Sequence, residues 1–314
     1  MNEMIITFLG TSSAAPTKER NPNSIAFEFE GNISLIDVSE GAQRMLMQKK
    51  ISYLKIRNIF FTHLHGDHLF GLPGLIGTMA MHKRQEPLYI FGPKGVKETL
   101  SKIMELGFQQ FGVSFEIICK EVKEGLVLKE KNFEVKAVKL NHSVSCYGYI
   151  FEESVLPKFN KQKALDLKIP EGPLFKELQE GKNVKVNGKV IKANQVLDFD
   201  KTRLPRKISF IFDTLANQSY VSAIKESDIL IHESNFSNEF KDRAIETKHS
   251  TAEMAGLIAS KAKVETLVLT HFSPRHKELD KLENEARKHF GEVICAEDGM
   301  QLLLDKNKKL EIEK

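Results

Sequence analysis

The sequence has little cysteine, which argues against two kinds of protein at the outset. Its 314 residues include 3 cysteines, Cys119, Cys146 and Cys295, an odd number with no CxxC spacing. We therefore expect neither a disulfide framework nor a cysteine-based metal site. Sparing use of cysteine also favours a reducing, intracellular setting, and we predict a cytoplasmic location.

Long apolar runs are also missing. No stretch approaches the roughly 20 apolar residues that a membrane-spanning helix needs, so no membrane association is expected. The segment Met1–Ile6 has neither the basic start nor the apolar core of a secretory leader, and we expect none. With 41% hydrophobic residues, the chain can form a sizeable core in one large or two ordinary domains.

The net charge is a modest +4, but it is unevenly distributed. Nine lysines stand against four acidic residues between Lys158 and Lys192, which gives this segment a charge of +5 and the remainder −1. A basic segment on a neutral body is typical of a polyanion contact. On charge alone, however, a solvated lysine-rich surface is the simpler explanation.

The strongest positive signal is a histidine-rich stretch after a short apolar segment. Residues 57–61 predict a buried strand, and His63, His65, Asp67 and His68 follow it in an HxHxDH pattern. Imidazole and carboxylate groups are the usual partners of zinc-like ions. The pattern therefore predicts a metal-dependent hydrolase rather than a polar surface loop.

Further candidate ligands lie where other predicted strands end, which is where α/β folds build their sites. They are His142, Asp213, His232 with Glu233, and His271. We predict two metal ions bridged by Asp213. One ion would be held by His63, His65 and His142, and the other by Asp67, His68 and His271. His82, His276 and His289 lack this placement and are expected not to be ligands.

Strand–helix alternation predicts layered α/β architecture for one domain spanning 1–314. The predicted elements include a strand over 33–38, helices over 39–49 and 219–225, and a last strand near 293–295. Residues 152–206 interrupt the alternation with four prolines and the lysine-rich segment. We interpret 152–206 as an arm inserted into the domain, with a hairpin at Asn187-Gly188.

Several motifs occur together and in a fixed order along the chain. They are Leu35–Gly41, the His63–His68 motif, Asn141-His142-Ser143, Phe212-Asp213-Thr214, His232-Glu233-Ser234, Lys248–Thr251 and Thr270–Arg275. With them the chain resembles the short-form ribonuclease Z family, tRNA 3′-processing endonucleases of the metallo-β-lactamase superfamily. The resemblance covers essentially the whole length. It implies an αββα sandwich with an inserted flexible basic arm.

The same resemblance implies a reaction and its participants. The substrate would be precursor tRNA, cut after the discriminator base to leave a 3′-hydroxyl on the tRNA. The cofactors would be two Zn²⁺ per chain, with other divalent ions possible, and the protein would be a homodimer. Asp67 would ligate metal and orient or deprotonate the attacking water. His249 would donate a proton to the leaving 3′ oxygen, and Glu233 would orient His249.

Two segments carry the resemblance to this subfamily. The segment Pro16–Asn21 matches a PxKxRN loop associated with reading the tRNA 3′ end, and the arm with Gly172-Pro173 resembles the exosite that grips the tRNA body. The implied substrate-binding residues are Pro16, Lys18, Arg20, Asn21, Gly172, Pro173, Lys176, Ser273 and Arg275. The chain departs from the family at Phe212, where glycine is usual, at Ser234-Asn235, where Ala-Thr is usual, and at His276, where tyrosine is common.

Two other classes of function stay open at this point. A small-molecule hydrolase of the same fold (of lactonase, thioesterase or sulfatase type) would need neither the arm nor the Pro16–Asn21 loop. A non-catalytic RNA-binding relative would have lost metal ligands, whereas all seven predicted positions carry a ligand residue.

Overall fold

The structure, a computed structural model, describes residues 3–107, 112–199 and 202–313. The chain divides into two compact units. The larger unit comprises Met1–Lys129, Glu134–Phe151 and Arg206–Lys314, and the smaller unit comprises Glu130–Phe133 and Glu152–Pro205.

Short strands and helices alternate along both units. In chain order the strands are β1 Met4–Gly10, β2 Ser24–Phe29, β3 Asn32–Ile36, β4 Ile56–Phe60, β5 Leu88–Gly92, β6 Ile117–Glu121, β7 Gly125–Lys129, β8 Phe133–Lys139, β9 Tyr147–Glu153, β10 Lys158–Phe159, β11 Val184–Val186, β12 Lys189–Ile191, β13 Leu197–Asp198, β14 Lys207–Ile211, β15 Ile229–Glu233, β16 Thr266–Thr270, β17 Val293–Cys295, β18 Gln301–Leu304 and β19 Leu310–Glu313. The helices are α1 Ala42–Gln48, α2 Gly66–Leu69, α3 Leu72–Met81, α4 Val96–Gly107, α5 Lys161–Asp166, α6 Pro173–Gln179, α7 Lys241–Thr247, α8 Ala252–Ala262 and α9 Asp280–Arg287.

The larger unit contains two sheets. One has the strand order β19-β18-β1-β2-β3-β4-β5-β6, antiparallel from β19 to β3 and parallel from β3 to β6. The other has the order β17-β16-β15-β14-β9-β8-β7, with β14 to β17 parallel. Since parallel strands all end at the same edge of a sheet, side chains that follow β3, β4, β14, β15 and β16 are delivered to common edges.

Each sheet packs helices on one face. The first buries its apolar residues against α1, α3 and α4, with Leu46, Leu75 and Ile76 fully enclosed. The second packs against α8 and α9. These two helices approach closely at Gly256, where an added Cβ would lie 2.4 Å from the carbonyl oxygen of Ala286, so no larger residue fits there.

Aromatic side chains fill the space between the two sheets. The ring of Phe151 lies 4.6 Å from Phe27, 5.4 Å from Phe60 and 5.6 Å from Phe210, measured between centroids. Phe27, Phe60, Phe151 and Phe210 are each at most 1% exposed. These tilted and edge-to-face contacts are favourable for aromatic rings and hold the sheets face to face.

The smaller unit has a core of its own, built on Ala164, Leu178 and Val196. In it β10 pairs with β13, and β11 pairs with β12 in a hairpin. Asn187 and Gly188 at the hairpin turn both have positive φ, 49° and 79°. This is the turn that Asn-Gly favours, as the sequence predicts.

Three expectations about the larger unit are wrong in detail. Residues 219–225 form turns instead of a helix, and the Asn217 side chain accepts from the N–H of Ser219 before them. The helix predicted over 39–49 begins only at Ala42, because Gly41 is left-handed with φ 85°. The strand that ends at Cys295, β17, is also not the last one. β18 and β19 follow it and extend the first sheet beside β1.

None of the helices in the described ranges combines the length and the apolar character needed to cross a bilayer.

Candidate metal centre

The predicted ligands lie close together at the carboxyl-terminal ends of the strands of the larger unit. His63 follows β4, His142 follows β8, Asp213 follows β14 and His271 follows β16. Asp213 and His271 have left-handed backbones, with φ 43° and 58°. Strain of this kind in residues other than glycine is typical of functional sites.

Two groups of ligand atoms lie on either side of Asp213. Its Oδ2 is 3.8 Å from His63 Nε2 and 3.9 Å from His142 Nε2. Its Oδ1 is 3.4 Å from His68 Nε2 and 3.3 Å from His271 Nε2. His65 completes the first group, since its Nδ1 lies 2.9 Å from His63 Nε2.

Asp67 completes the second group, since its Oδ2 lies 3.4 Å from His68 Nε2. In both groups (His63, His65 and His142; Asp67, His68 and His271) the ligand atoms all lie within 4.8 Å of one another. Ligand atoms of a tetrahedral zinc site with bonds of about 2.0–2.2 Å lie roughly 3.3–3.6 Å apart. The structure thus brings together all seven residues that the sequence predicts as ligands.

The residues in this centre fit divalent cations. His68 Nε2, Asp213 Oδ1 and both ring nitrogens of His271 are buried and have no hydrogen-bond partner in the part of the chain that the structure describes. Buried polar atoms are nearly always satisfied, because leaving one unpaired costs about 1–3 kcal/mol. Cations between these atoms would satisfy them.

The protonation states of His142 and His271 point the same way. His68 differs, because burial lowers its pKa but Asp213 and Asp37 outweigh burial and raise it well above the ordinary value, a balance that a bound cation would reverse. Burial lowers the pKa of His142 to about 4 and that of His271 to about 3, so both imidazoles are neutral near pH 7, as metal ligation requires. Burial also raises the pKa of Asp213 to about 7. A buried carboxylate of this kind is costly to ionise without a neighbouring cation.

Asp37, just past β3, fixes the ligand His68 and the neighbouring residue Thr62. Its Oδ2 accepts from His68 Nδ1 (2.7 Å) and from Thr62 Oγ1 (2.8 Å), and its Oδ1 accepts from the Thr62 N–H (2.8 Å). The bond to His68 directs Nε2 of that ring toward Asp67 and Asp213. Carboxylates in this second position orient imidazole ligands and fix their tautomer.

Beside the ligands lies a histidine–glutamate pair. Nδ1 of His249 lies 3.1 Å from Glu233 Oε1, and the N–H of Ser250 donates to Glu233 Oε2 (3.0 Å). Burial favours neutral Glu233, but His249 outweighs this and lowers the pKa of Glu233 to about 2. Burial likewise opposes a charged His249, but Glu233 raises its pKa to about 9. His249 is therefore a protonated imidazole at neutral pH.

His249 also faces the ligands, because its ring lies 5.1 Å from that of His142 and 5.6 Å from that of His271. The preceding residue supports the centre directly, since the Lys248 carbonyl accepts from His142 Nδ1 (3.3 Å). His232, the other strand-end histidine, is not part of the centre. Its Nε2 bonds the Tyr220 hydroxyl (2.9 Å), and its Nδ1 donates to its neighbour's carbonyl, so we assign it a structural role.

Some polar groups of the Pro16–Asn21 loop form hydrogen bonds with other segments of the chain. Arg20 donates to the carbonyls of His276 (2.7 Å) and Lys277 (3.1 Å). The Asn21 side chain donates to the carbonyl of Leu9, and its N–H donates to Asp298 Oδ2. Pro16 and Lys18 are exposed. Within the described ranges Lys18 has no ion-pair partner, so its charge is available to a ligand.

The remaining predicted substrate-binding residues fall into two sets. Ser273 and Arg275 follow the ligand His271; the Arg275 Nε donates to Ser273 Oγ (2.9 Å), and its guanidinium lies over the Phe236 and Phe240 rings. The other set, Gly172, Pro173 and Lys176, belongs to the smaller unit, where Pro173 begins α6 and Lys176 is exposed.

Sequence reasoning misses some of the supporting residues. Asp37 lies at a predicted strand end, the same signal that identifies Asp213, but the sequence alone does not assign it to the site. Thr214 and Ser250 hold Glu233 through their backbone N–H groups, which leave no signature in the sequence. Lys248 acts through its carbonyl, which is equally invisible before the fold is known.

Comparison with known proteins identifies the family. The family model described as Anti-Pycsar protein Apyc1 matches residues 4–165. Ribonuclease Z of Nitrosopumilus maritimus is 39% identical over 300 residues, covering 95% of this chain and 99% of that protein. Human tRNase Z, short form (ELAC1), superposes with a TM-score of 0.68 at 27% identity, covering 95% of this chain and 98% of that one.

The fold follows from a further comparison. The metallo-β-lactamase fold protein YhfI from Bacillus subtilis superposes with a TM-score of 0.67 at 18% identity, covering 96% of this chain and all of that one. This chain therefore has the metallo-β-lactamase fold, and its fold and family imply a divalent metal at the centre described above. Its amino-terminal half matches the family that the Apyc1 model describes, and over nearly its whole length the chain belongs to the ribonuclease Z family.

Proposed function

We propose that this chain is a zinc-dependent endoribonuclease that removes the 3′ trailer from precursor tRNA after the discriminator base and leaves a 3′-hydroxyl on the tRNA. The observation that carries the proposal is the placement of two ligand groups around Asp213 beside the His249–Glu233 pair. Membership in the ribonuclease Z family supplies the substrate class.

The ligand assignment is part of the proposal. His63, His65 and His142 would hold one zinc ion, Asp67, His68 and His271 would hold the other, and Asp213 would bridge them. When bound, two zinc ions lower the pKa of a water molecule and neutralise charge on the phosphate oxygens. Side chains of the protein would carry out the proton transfers.

Asp67 and His249 would carry these transfers. Burial opposes ionisation of Asp67, but the adjacent His68 imidazole outweighs burial and lowers the Asp67 pKa, so the carboxylate is available to orient the attacking water and accept its proton. His249, kept protonated by Glu233, would donate a proton to the leaving 3′ oxygen. Positioned proton transfer of each kind typically contributes about 10²–10⁴-fold.

We further propose that the smaller unit is the tRNA-binding arm. Its exposed lysines include Lys158, Lys168, Lys176, Lys185, Lys189 and Lys192. None of these six forms an ion pair within the described ranges, whereas Lys161, Lys163 and Lys182 are each paired with a carboxylate. Unpaired cations bind RNA phosphates without reading sequence, which suits recognition of a common tRNA shape. Homodimer formation and a cytoplasmic location remain predictions.

The test compares substrates. Zinc-loaded protein should cleave a 3′-extended precursor tRNA with a kcat/KM that exceeds that for a small chromogenic phosphodiester by about 10³-fold or more, because binding remote from the scissile bond contributes only to the large substrate. Efficient hydrolysis of the small diester with no cleavage of the precursor tRNA would favour the small-molecule hydrolase.

A further inference from the structure

The segment Gly10–Pro16 begins at the last residue of β1 and lies against the metal centre. It has no role in the function proposed so far. Its backbone bonds to chain on both sides. The N–H of Ser12 donates to the carbonyl of Asn21 (2.9 Å), and the N–H of Ser13 donates to the carbonyl of Phe272 (2.9 Å), next to the ligand His271. The segment is therefore fastened both to the Pro16–Asn21 loop and to the end of β16.

Ala14, which we call the tip of this segment, contacts Asp67 itself. The N–H of Ala14 donates to Asp67 Oδ2 (3.1 Å), and the N–H of Ala15 donates back to the carbonyl of Ser13 (2.6 Å). With every N–H from Ser12 to Ala15 engaged in this way, the segment cannot act as a phosphate cradle, which its small residues would otherwise suggest. Ala14 is left-handed, with φ 60°, a conformation that alanine rarely adopts and that its surroundings must maintain.

Two side-chain bonds, one of them fully buried, maintain this conformation. Ser12 Oγ donates to the carbonyl of Ala15 (2.7 Å), and Asn235 Nδ2 donates to Ser13 Oγ (2.8 Å). Ser12, Ser13 and Asn235 are each at most 4% exposed. Asn235 lies two residues beyond Glu233 at the end of β15, so this bond ties the tip to the strand that carries the histidine-orienting carboxylate.

We propose that Ser13 and Asn235 are positioning residues for Asp67, acting through the backbone N–H of Ala14. The bond from Ala14 restricts rotation of the Asp67 carboxylate, whose Oδ2 also lies 3.4 Å from His68 Nε2. Loss of the Ser13–Asn235 bond would release the left-handed tip, remove the N–H from Oδ2 and leave Asp67 free to turn. The catalytic consequence rests on the proposed function, whereas the consequence for metal binding does not.

The test compares Ser13→Ala and Asn235→Ala with a matched control, Ser234→Ala. Ser234 is equally buried and adjacent in sequence, but its hydroxyl donates weakly (3.4 Å) to the carbonyl of Thr270 rather than to the tip. Zinc retention is measured on zinc-loaded protein by chelator competition, and kcat and KM are measured on 3′-extended precursor tRNA.

We expect Ser13→Ala and Asn235→Ala each to weaken retention of one zinc ion by about 10–100-fold, the usual cost of losing a group that orients a ligand. The value of kcat should fall by a similar factor while KM changes by less than about threefold, because neither Ser13 nor Asn235 is among the residues proposed to bind substrate. The double variant should lose no more than either single variant, since both remove the same bond. Ser234→Ala should match the wild type.

The proposal is overturned if Ser13→Ala and Asn235→Ala retain zinc as Ser234→Ala does, or if their effects add in the double variant. If Ser13→Ala fails to fold in a thermal melt, Asn235→Asp and Asn235→Leu decide instead. The aspartate keeps an oxygen in the place of Nδ2 that can accept from the Ser13 hydroxyl and should retain both ions, whereas the leucine of similar shape should lose one; equal behaviour of the two would contradict the proposal. If the wild-type protein leaves precursor tRNA uncut, the proposed function fails. The zinc measurements on the variants still decide whether Ser13 and Asn235 position Asp67.

Discussion

Asp213 is the residue on which the proposed two-ion arrangement depends. Its two oxygens point to different histidine pairs, Oδ2 to His63 and His142, and Oδ1 to His68 and His271. It is 3% exposed, so water does not screen its charge from the histidines around it. A carboxylate placed in this way serves both ligand groups at once.

Replacing Asp213 should therefore disturb both ions together. We expect Asp213→Ala to lower zinc content from about two ions per chain to below one, because each group loses a ligand. Metal analysis of the purified protein measures this. Asp228→Ala is the control, since Asp228 is a similarly buried carboxylate whose partners are Lys207 and Lys308. One tightly held ion that survives Asp213→Ala would contradict the bridging role.

The pairing of His249 with Glu233 leads to a prediction about how kcat depends on pH. In the proposed mechanism the protonated form of His249 is the proton donor, so activity should be present below its pKa and be lost as the pH rises through it. Glu233 raises that pKa, and Glu233→Gln should therefore move the alkaline limb of the kcat profile to lower pH by about one unit or more. A profile that keeps its alkaline limb in Glu233→Gln would show that His249 is not the acid.

At the scale of elements, the turn after β3 shapes the centre. β3 ends at Ile36, and Asp37 is left-handed with φ 59°. Its carboxylate, which is fully buried, accepts three hydrogen bonds from Thr62 and His68. The end of β3 and the HxHxDH loop after β4 are thereby joined by one side chain.

Removing this side chain should weaken both the fold and the metal site. Asp37→Ala leaves buried donors on Thr62 and His68 unpaired, so we expect a loss of about 3 kcal/mol in the free energy of unfolding, measured with urea. Zinc affinity should fall by about 10–100-fold as His68 loses its orienting partner. Asp37→Asn, which has the same shape, should cost less in both measurements. Equal effects of the two variants would show that the hydrogen bonds are not the cause.

The sequence is most informative where a signal is local. The HxHxDH stretch and the histidines and aspartates at predicted strand ends need no knowledge of distant neighbours, and the structure brings these residues together. The Asn187-Gly188 turn is a similar case, because its two residues determine the turn type. The layered architecture could also be predicted, since strand–helix alternation reflects the topology of the chain.

What could not be predicted depends on tertiary contacts. Residues 219–225 are predicted as a helix, but they form turns in which the Tyr220 hydroxyl bonds the buried His232, a tertiary contact. β19 pairs with β18, and β18 pairs with β1 at the other end of the chain, a register that no local pattern encodes. The contact of Ala14 with Asp67 is likewise made by a backbone N–H.

At the scale of the whole molecule, the positive charge is concentrated in the smaller unit, which carries six exposed lysines that form no ion pairs within the described ranges. We expect the triple replacement of Lys176, Lys185 and Lys189 by alanine to weaken precursor-tRNA binding. It should also flatten the slope of log affinity against log salt by about 0.7–0.9 per lost phosphate contact. Hydrolysis of a small phosphodiester should be unchanged, because the metal centre lies in the larger unit.

The matched control replaces three lysines that are already ion-paired, Lys161, Lys163 and Lys182. This variant changes the net charge by the same amount, but its lysines share their charge with carboxylates, so affinity and salt slope should change less. Equal loss in the two variants would mean that net charge alone, and not the free lysines, accounts for RNA binding.

The most direct test of the central claim is to map the cut on a 3′-extended precursor tRNA at nucleotide resolution, with the chemistry of the new 3′ end determined in the same experiment. We predict a single zinc-dependent cut immediately after the discriminator base, with a 3′-hydroxyl on the tRNA, and no cut by Asp67→Ala. A cut at another position, a 3′-phosphate product, or equal cleavage by Asp67→Ala would contradict the account.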